Sequence, residues 1–242
     1  MPPDPEDAVI LCGGAATRLR GVLDDRPKSM AIVRGKPFLE WLILFLARNG
    51  VRRAVLATGY MAEQIQRHFD GGRFGVEIGF SHEDRPMGTG GALRLAIDHV
   101  ESDNVLVLNG DTYCRFDLNR LRKRHGEAAA AATLWLVNAS DTGRFGSVEV
   151  LADGRITAFN EKQAGRRGPI NGGVYLMGRE IVEAIPQAKP MSLESDVFPK
   201  LVGHGLYGVV GAGIFVDIGT PESLQGAETA LELELDRLEA TA

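Results

Sequence analysis

Short apolar runs alternate with amphipathic stretches through the first half of the chain. Residues 8–12, 53–57, 76–80 and 104–108 are compact, mostly apolar and bounded by turn formers. That pattern predicts buried strands. Residues 38–48, 61–69, 90–100 and 118–125 carry helical spacing between them. Strand–helix alternation of this length predicts an α/β fold, Rossmann-like and doubly wound around a mostly parallel mixed sheet. Ligands then lie beyond the carboxyl ends of the strands.

The second half has more strands and fewer helices. Residues 129–137, 147–150, 156–160 and 174–177 read as strands, and 209–210 and 214–217 continue that character. Asp153-Gly154 is a hairpin turn signal. Together these predict antiparallel additions that build a pocket beside the first half. Residues 163–169 read as a polar, flexible loop able to close over a ligand. From Thr220 the chain offers an N-cap, a proline at the first helical position, and a stripe of Leu224, Ala227, Leu231, Leu235 and Leu238. The stripe predicts a terminal helix packed on the sheet, with a homodimer contact as the alternative. No repeat or linker divides the chain. It reads as a single domain, 1–242, with halves at about 8–125 and 126–219 and a helix at 220–242.

Composition narrows the function classes. The 242 residues are 44% hydrophobic and 24% charged, with a net charge of −5. An acidic balance argues against a non-specific nucleic-acid binder. No apolar run approaches the roughly 20 residues of a membrane span, and the acidic, proline-rich start is unlike a signal peptide. Cys12 and Cys114 lack metal-site spacing and read as reduced thiols at strand ends, so a cytoplasmic location is expected. His82, His125 and His204 read as surface residues.

The chemistry begins where the first strand ends. Leu11-Cys12-Gly13-Gly14-Ala15-Ala16-Thr17-Arg18 places two glycines and an arginine there, and Lys28 follows Pro27. Glycines let backbone N–H groups approach a polyphosphate, and the cations supply its countercharge. The spacing matches neither G-x-G-x-x-G nor the P-loop. Asn109-Gly110-Asp111 follows another strand and suits either a magnesium ligand or an Asx turn. Asp217 sits in an apolar strand before Gly219, where a carboxylate needs a partner. Gly88-Thr89-Gly90-Gly91 offers backbone to a base or ribose, or a helix entry capped by Thr89. Glu161-Lys162 reads as ligand contacts or as solvated charge. Asn171-Gly172-Gly173 offers an amide and open backbone, suited to sugar hydroxyls.

Together these segments resemble the sugar-phosphate nucleotidyltransferases, which join a nucleoside triphosphate to a sugar 1-phosphate. The loop, the PKxM lysine, PxGTGGA, NGD, the EK pair, NGG and DIGTP stand in the same order, from about residue 8 to about residue 227. The short length, the Thr-Arg-Leu-Arg run and the GTGGA and DIGTP segments most resemble members that use GTP and a D-glycero-D-manno-heptose 1-phosphate. The resemblance implies the nucleotide-diphospho-sugar transferase fold, with a sugar pocket in the second half. It implies that Leu11, Gly13, Gly14, Ala15, Ala16 and Thr17 hold the nucleotide, with Gly88 and Thr89 along base and ribose. Arg18, Lys28 and Asp111 would be catalytic. Asp111 and Asp217 would hold Mg²⁺, with Mn²⁺ able to substitute. Asn109, Glu161, Lys162, Asn171 and Gly172 would face the sugar phosphate. Ala16 and Ser29 depart from the usual glycine and proline. The rival readings are a uridylyl- or guanylyltransferase for another sugar 1-phosphate, such as N-acetylmuramic acid, mannose or glucose 1-phosphate, and a non-catalytic nucleotide-sugar sensor.

Overall fold

A computed structural model describes residues 7–15, 17–19, 21–72, 74–160, 164–187 and 189–240. The chain opens with β1 (Asp7–Leu11), a small ribbon of β2 (Ile32–Val33) and β3 (Lys36–Pro37), and α1 (Phe38–Arg48). Next come β4 (Arg53–Thr58), α2 (Ala62–Phe69), β5 (Glu77–His82), α3 (Gly88–Ala96), β6 (Asn104–Asn109), β7 (Thr112–Cys114) and α4 (Leu118–Glu127). The second half holds β8 (Ala132–Ala139), β9 (Ser147–Val150), β10 (Ile156–Asn160), β11 (Gly168–Gly178), α5 (Arg179–Glu183), α6 (Phe198–Leu201), β12 (Leu206–Gly211), β13 (Phe215–Asp217) and α7 (Pro221–Glu239).

Seven strands form the main sheet in the order β12-β8-β11-β6-β1-β4-β5. Every neighbouring pair is parallel except those made by β11, which runs against both β6 and β8. The sheet is therefore mixed and mostly parallel, as expected. The antiparallel character of the second half is narrower than its sequence implied: it resides in β11 and in the ribbons β9–β10 and β7–β13. β11 is also much longer than residues 174–177, and it takes in Gly168 and Pro169, the end of the segment expected to be a loop. Pairing with Ala139 and Asn138 of β8 orders those two residues.

Both faces of the sheet are covered. Along β1, Ala8 and Ile10 pack into one apolar cluster and Val9 into the other. Leu106 and Leu108 of β6 face the first, Val105 and Val107 the second. Burial on both faces explains why these strands read as continuous apolar runs without alternation. The α1 helix is apolar nearly all round because it is buried nearly all round, with Phe38, Leu39, Trp41 and Ile43 sealed from solvent. The Trp41 indole N–H donates to the Val33 carbonyl at 2.9 Å, so its one polar atom is satisfied.

His125 corrects the surface reading. It is buried, its ring nitrogens 3.0 Å from the Thr133 hydroxyl and 3.1 Å from Asn104 Oδ1. Neutral partners on β8 and β6, the strands that flank β11, make a buried imidazole tolerable.

At the other end, Thr220 caps α7 by accepting from Ser223 N–H, and Ser223 Oγ accepts from Thr220 N–H. Ala227, Leu231, Leu235 and Leu238 then enter the first cluster, beside α1. The helical stripe thus finds its partner within the chain. Leu235→Ala should cost about 2–5 kcal/mol, since it removes a fully buried side chain. Thr220→Ala should cost about 1 kcal/mol through the lost cap. Equilibrium denaturation checks both, and a Leu235→Ala protein of unchanged midpoint would show that α7 is not part of the core.

Candidate active site

The chain passes from β1 to β4 to β5 in one direction across the sheet, then crosses back to place β6 on the other side of β1. The crossing leaves a crevice outside the carboxyl ends of β1 and β6. A cleft of about 570 Å³ opens there. Leu11, Gly13, Gly14, Ala15, Gly88 and Thr89 line it, and so do Lys28, Asn109 and Asp111.

Gly110 brings the two strand ends together. Its N–H donates to the Leu11 carbonyl at 2.9 Å, and a Cβ there would fall 2.8 Å from that oxygen. Only glycine permits this approach, so Asp111 is carried to the loop that begins at Cys12 by backbone geometry. The β7–β13 ribbon then brings Asp217 in. Asp217 registers opposite Thr112, and Ile218 N–H donates to the Asp111 carbonyl at 3.0 Å. Two carboxylates over a hundred residues apart in sequence thus stand close together, Asp217 at the end of β13 and Asp111 in the turn just before β7.

Each carboxylate has a cation. Lys28 Nζ lies 2.5 Å from Asp111 Oδ2, and Arg144 Nη2 lies 2.7 Å from Asp217 Oδ1. The two pairs adjoin: a methyl group added to Gly219 would meet Asp217 Oδ1 at 2.7 Å and Lys28 Nζ at 3.2 Å. Among the described residues, no group of three or more His, Cys, Asp or Glu side chains forms a metal cluster. Two hard carboxylates without further protein ligands fit Mg²⁺, which fills its other positions with phosphate oxygens and water.

The expected residues do not all converge. Arg18 sits exposed on a short 3₁₀ turn, Thr17–Leu19, anchored by the buried Leu19, and is not among the residues lining the cleft. Ala16, Glu161 and Lys162, and the Thr17 side chain, lie outside the described residues. Asn171 is engaged internally: its amide donates to the Tyr175 hydroxyl at 2.9 Å, and its Oδ1 accepts from Gly173 N–H at 2.9 Å. Gly172 is packed against the Trp135 carbonyl and the Cys114 thiol, where a Cβ would lie at 2.8 Å and 3.2 Å. That packing, rather than open backbone, accounts for this glycine.

The Gly88–Gly91 segment likewise has a structural reason for its glycines. Gly88 has φ +68°, and a Cβ there would strike the Met191 carbonyl at 2.5 Å. Gly90 and Gly91 N–H groups donate to that same carbonyl. Thr89 is not the cap of α3. Its hydroxyl accepts from Leu193 N–H at 2.8 Å and donates to Glu194 Oε2 at 2.9 Å.

Several cleft residues were not singled out from the sequence, His82 and Glu83 among them. His82 is exposed, as read, and borders the cleft because β5 runs on through residue 82. Glu83 follows it and is seated between two glycines. A Cβ on either Gly13 or Gly59 would come within 2.8 Å of Glu83 Oε1, while Oε2 accepts from Met87 N–H at 2.9 Å. Burial raises the Glu83 carboxyl above its ordinary value of 4.5, and the Met87 bond offsets part of that rise. The only signal in sequence was a carboxylate between a strand and the GTGGA run.

The Lys28–Asp111 pair is partly exposed, so it contributes little to stability. Lys28→Ala should therefore leave the thermal midpoint nearly unchanged, by less than about 1 kcal/mol. By the resemblance drawn from the sequence, pyrophosphate release should fall by at least about a hundredfold, as when one charge-stabilising group is lost. Near-normal release by the folded variant would remove Lys28 from the chemistry that the resemblance implies.

Comparison with known proteins agrees with this geometry. The nucleotidyl transferase family profile matches residues 7–234. A D-glycero-alpha-D-manno-heptose 1-phosphate guanylyltransferase of Aneurinibacillus thermoaerophilus is 36% identical over 227 residues, 93% of this chain and 98% of that protein. A mannose-1-phosphate guanylyltransferase of Mycobacterium tuberculosis is 37% identical over 221 residues, 89% of this chain but 62% of that longer protein. The crystal structure of HddC from Yersinia pseudotuberculosis, complexed with GMP-PN, superposes with a TM-score of 0.81 at 34% identity, covering 93% of this chain and 98% of that one. Fold, cleft and sequence together place the chain in the nucleotidyl transferase family.

Proposed function

We propose that the protein joins GTP and D-glycero-D-manno-heptose 1-phosphate to give GDP-heptose and pyrophosphate, a step toward cell-surface glycans. The full-length likeness to heptose 1-phosphate guanylyltransferases supports the substrate pair. Glu83 is the observation that carries the choice of base. Guanine presents adjacent N1–H and N2–H donors, which one carboxylate can accept together. Uracil and thymine flank a single N–H with carbonyl oxygens, which a carboxylate repels. A carboxylate held by Met87 N–H keeps lone pairs free for this task. On this reading the whole chain is one nucleotidyltransferase domain, with nucleotide contacts from about 8–125 and sugar contacts from about 126–219.

The reaction needs no side-chain nucleophile. A phosphate oxygen of the sugar 1-phosphate attacks the α-phosphorus of GTP, and the bond to the β-phosphate oxygen breaks as pyrophosphate leaves. Both reactants are anions, so alignment and charge neutralisation are the main tasks. Lys28 would bridge the α-phosphate and the incoming phosphate. The Gly13–Ala15 backbone and Arg18 would hold the departing phosphates. Asp111 and Asp217 would hold Mg²⁺, or Mn²⁺ in its place, which when bound neutralises phosphate charge.

GTP should exceed UTP, ATP, CTP and dTTP in kcat/KM with heptose 1-phosphate, measured by pyrophosphate release. A UTP optimum with every sugar tried would replace this reading with a uridylyltransferase. Glu83→Gln should weaken GTP binding about tenfold, roughly 1.4 kcal/mol, and narrow the margin over UTP. Because the Glu83 carboxyl is raised, its charged form is lost as pH falls through that raised value. GTP affinity should therefore decline as pH falls through a value above 4.5, and Glu83→Gln should abolish that decline. The same shift makes the folded state gain stability relative to the unfolded one as pH falls through the window between the raised value and 4.5.

Asp111→Asn and Asp217→Asn should each remove most activity while leaving a folded protein. The double variant should be little worse than either single one, since both would act through one ion. Full activity with unchanged Mg²⁺ dependence in Asp217→Asn would make Asp217 structural.

A further inference from the structure

Arg144 has no part in the reaction as described, yet its guanidinium occupies one of the two aspartates assigned to the metal. It lies between β8 and β9, on a loop built by specific bonds. Asp141 Oδ1 accepts from Gly143 N–H at 2.8 Å and from Gly165 N–H at 2.9 Å. Thr142 N–H donates to the Arg166 carbonyl at 2.8 Å. The loop is thereby fastened to the segment just after Glu161-Lys162, on the sugar side. The guanidinium crosses from there to Asp217, with its carbon 5.1 Å from the Phe145 ring centre. Phe145 packs edge-on against Phe215 of β13, with ring centres 5.1 Å apart. The Arg144 side chain is half exposed, so it can move without disturbing the core.

The charges in this corner alternate: Lys28 against Asp111, Arg144 against Asp217. A divalent ion brought to the Asp217 carboxylate would stand close to a guanidinium already 2.7 Å from it, and like charges at such range repel. The ion therefore favours departure of Arg144. The released guanidinium stays tethered to the sugar-side loop, and its planar fork matches a phosphate.

We propose that Arg144 is an exchangeable cation that neutralises Asp217 in the ligand-free site and passes to the phosphate of the incoming sugar 1-phosphate when a divalent ion takes Asp217. The proposal rests on the function proposed above for its second step only. The exchange would couple metal loading to sugar-phosphate capture. No covalent bond changes; one ion pair is traded for another.

Two measurements test it on the full chain. The first is Mn²⁺ binding to the nucleotide-free protein, followed by electron paramagnetic resonance. Arg144→Ala should bind Mn²⁺ about three- to fivefold more tightly, the scale of one partly exposed ion pair. A variant that merely loosened the loop would bind Mn²⁺ equally or more weakly, and that result overturns the exchange. The second is the KM split. Arg144→Ala should raise the KM for the sugar 1-phosphate about tenfold while changing GTP affinity less than about twofold, and Arg144→Lys should recover part of the loss. An unchanged sugar-phosphate KM overturns the second step. If the wild-type protein releases no pyrophosphate with any sugar 1-phosphate, the proposed function has failed, and the Mn²⁺ measurement still decides whether Arg144 competes for Asp217.

Discussion

The close approach of the β1 and β6 ends is the constraint from which the site follows. Gly110 allows it, because any side chain there would strike the Leu11 carbonyl. Once the two ends touch, Asp111 stands beside the loop that begins at Cys12, and Lys28 can reach it. The β7–β13 ribbon continues from the same point and delivers Asp217. Carboxylates are then gathered next to the glycine loop to which the proposed function assigns an anionic ligand. Cations must make up the difference, and in this structure Lys28 and Arg144 supply them. The two aspartates are thus balanced by side-chain cations, and the proposed exchange would rearrange these pairs when phosphates and a divalent ion bring their own charges.

A second set of contacts ties the cleft to the strand that separates the two halves. Glu194 accepts from Thr89 and Ser192 with one oxygen and from Tyr175 with the other. Tyr175 in turn accepts from Asn171. Burial drives the Tyr175 hydroxyl far above its ordinary value, so it remains a neutral donor throughout the working pH range. Through these bonds the start of α3, which lines the cleft, is referenced to β11, the strand that runs against both its neighbours in the main sheet. A rigid reference of this kind suits a reaction in which two substrates must meet in line.

Much of this was legible in the chain. The β1, β4 and β6 strands carry unbroken apolar runs through their middles because both faces of the sheet are covered, and that kind of run is easily read. The α1 helix matched its expected bounds, Phe38–Arg48, and α7 its expected cap and stripe. The long β11 was only partly legible. The part before residue 174 contains Pro169, Asn171 and three glycines, which carry no strand signal, and the pairing with β8 overrides that local preference. His125 misled because its polar context in sequence is replaced by buried partners in space. Motif glycines were found but partly misexplained: Gly88 and Gly172 answer to Met191 and Trp135, which lie far away along the chain. Glu83 and Arg144 were missed for a related reason. Each is an ordinary charged residue in a turn, and only the fold reveals the glycine notch under one and the carboxylate facing the other.

The central claim is that the cleft transfers the guanylyl group of GTP directly to a sugar 1-phosphate. Fate of label tests this most directly. The protein would be mixed with Mg²⁺, heptose 1-phosphate and GTP carrying ³²P at the α-position, in a single turnover, and quenched across the time course. The account predicts that label passes from GTP to GDP-heptose in step with pyrophosphate formation and is never bound to protein. Label trapped on the protein, or released as GMP without a sugar-linked product, would contradict it.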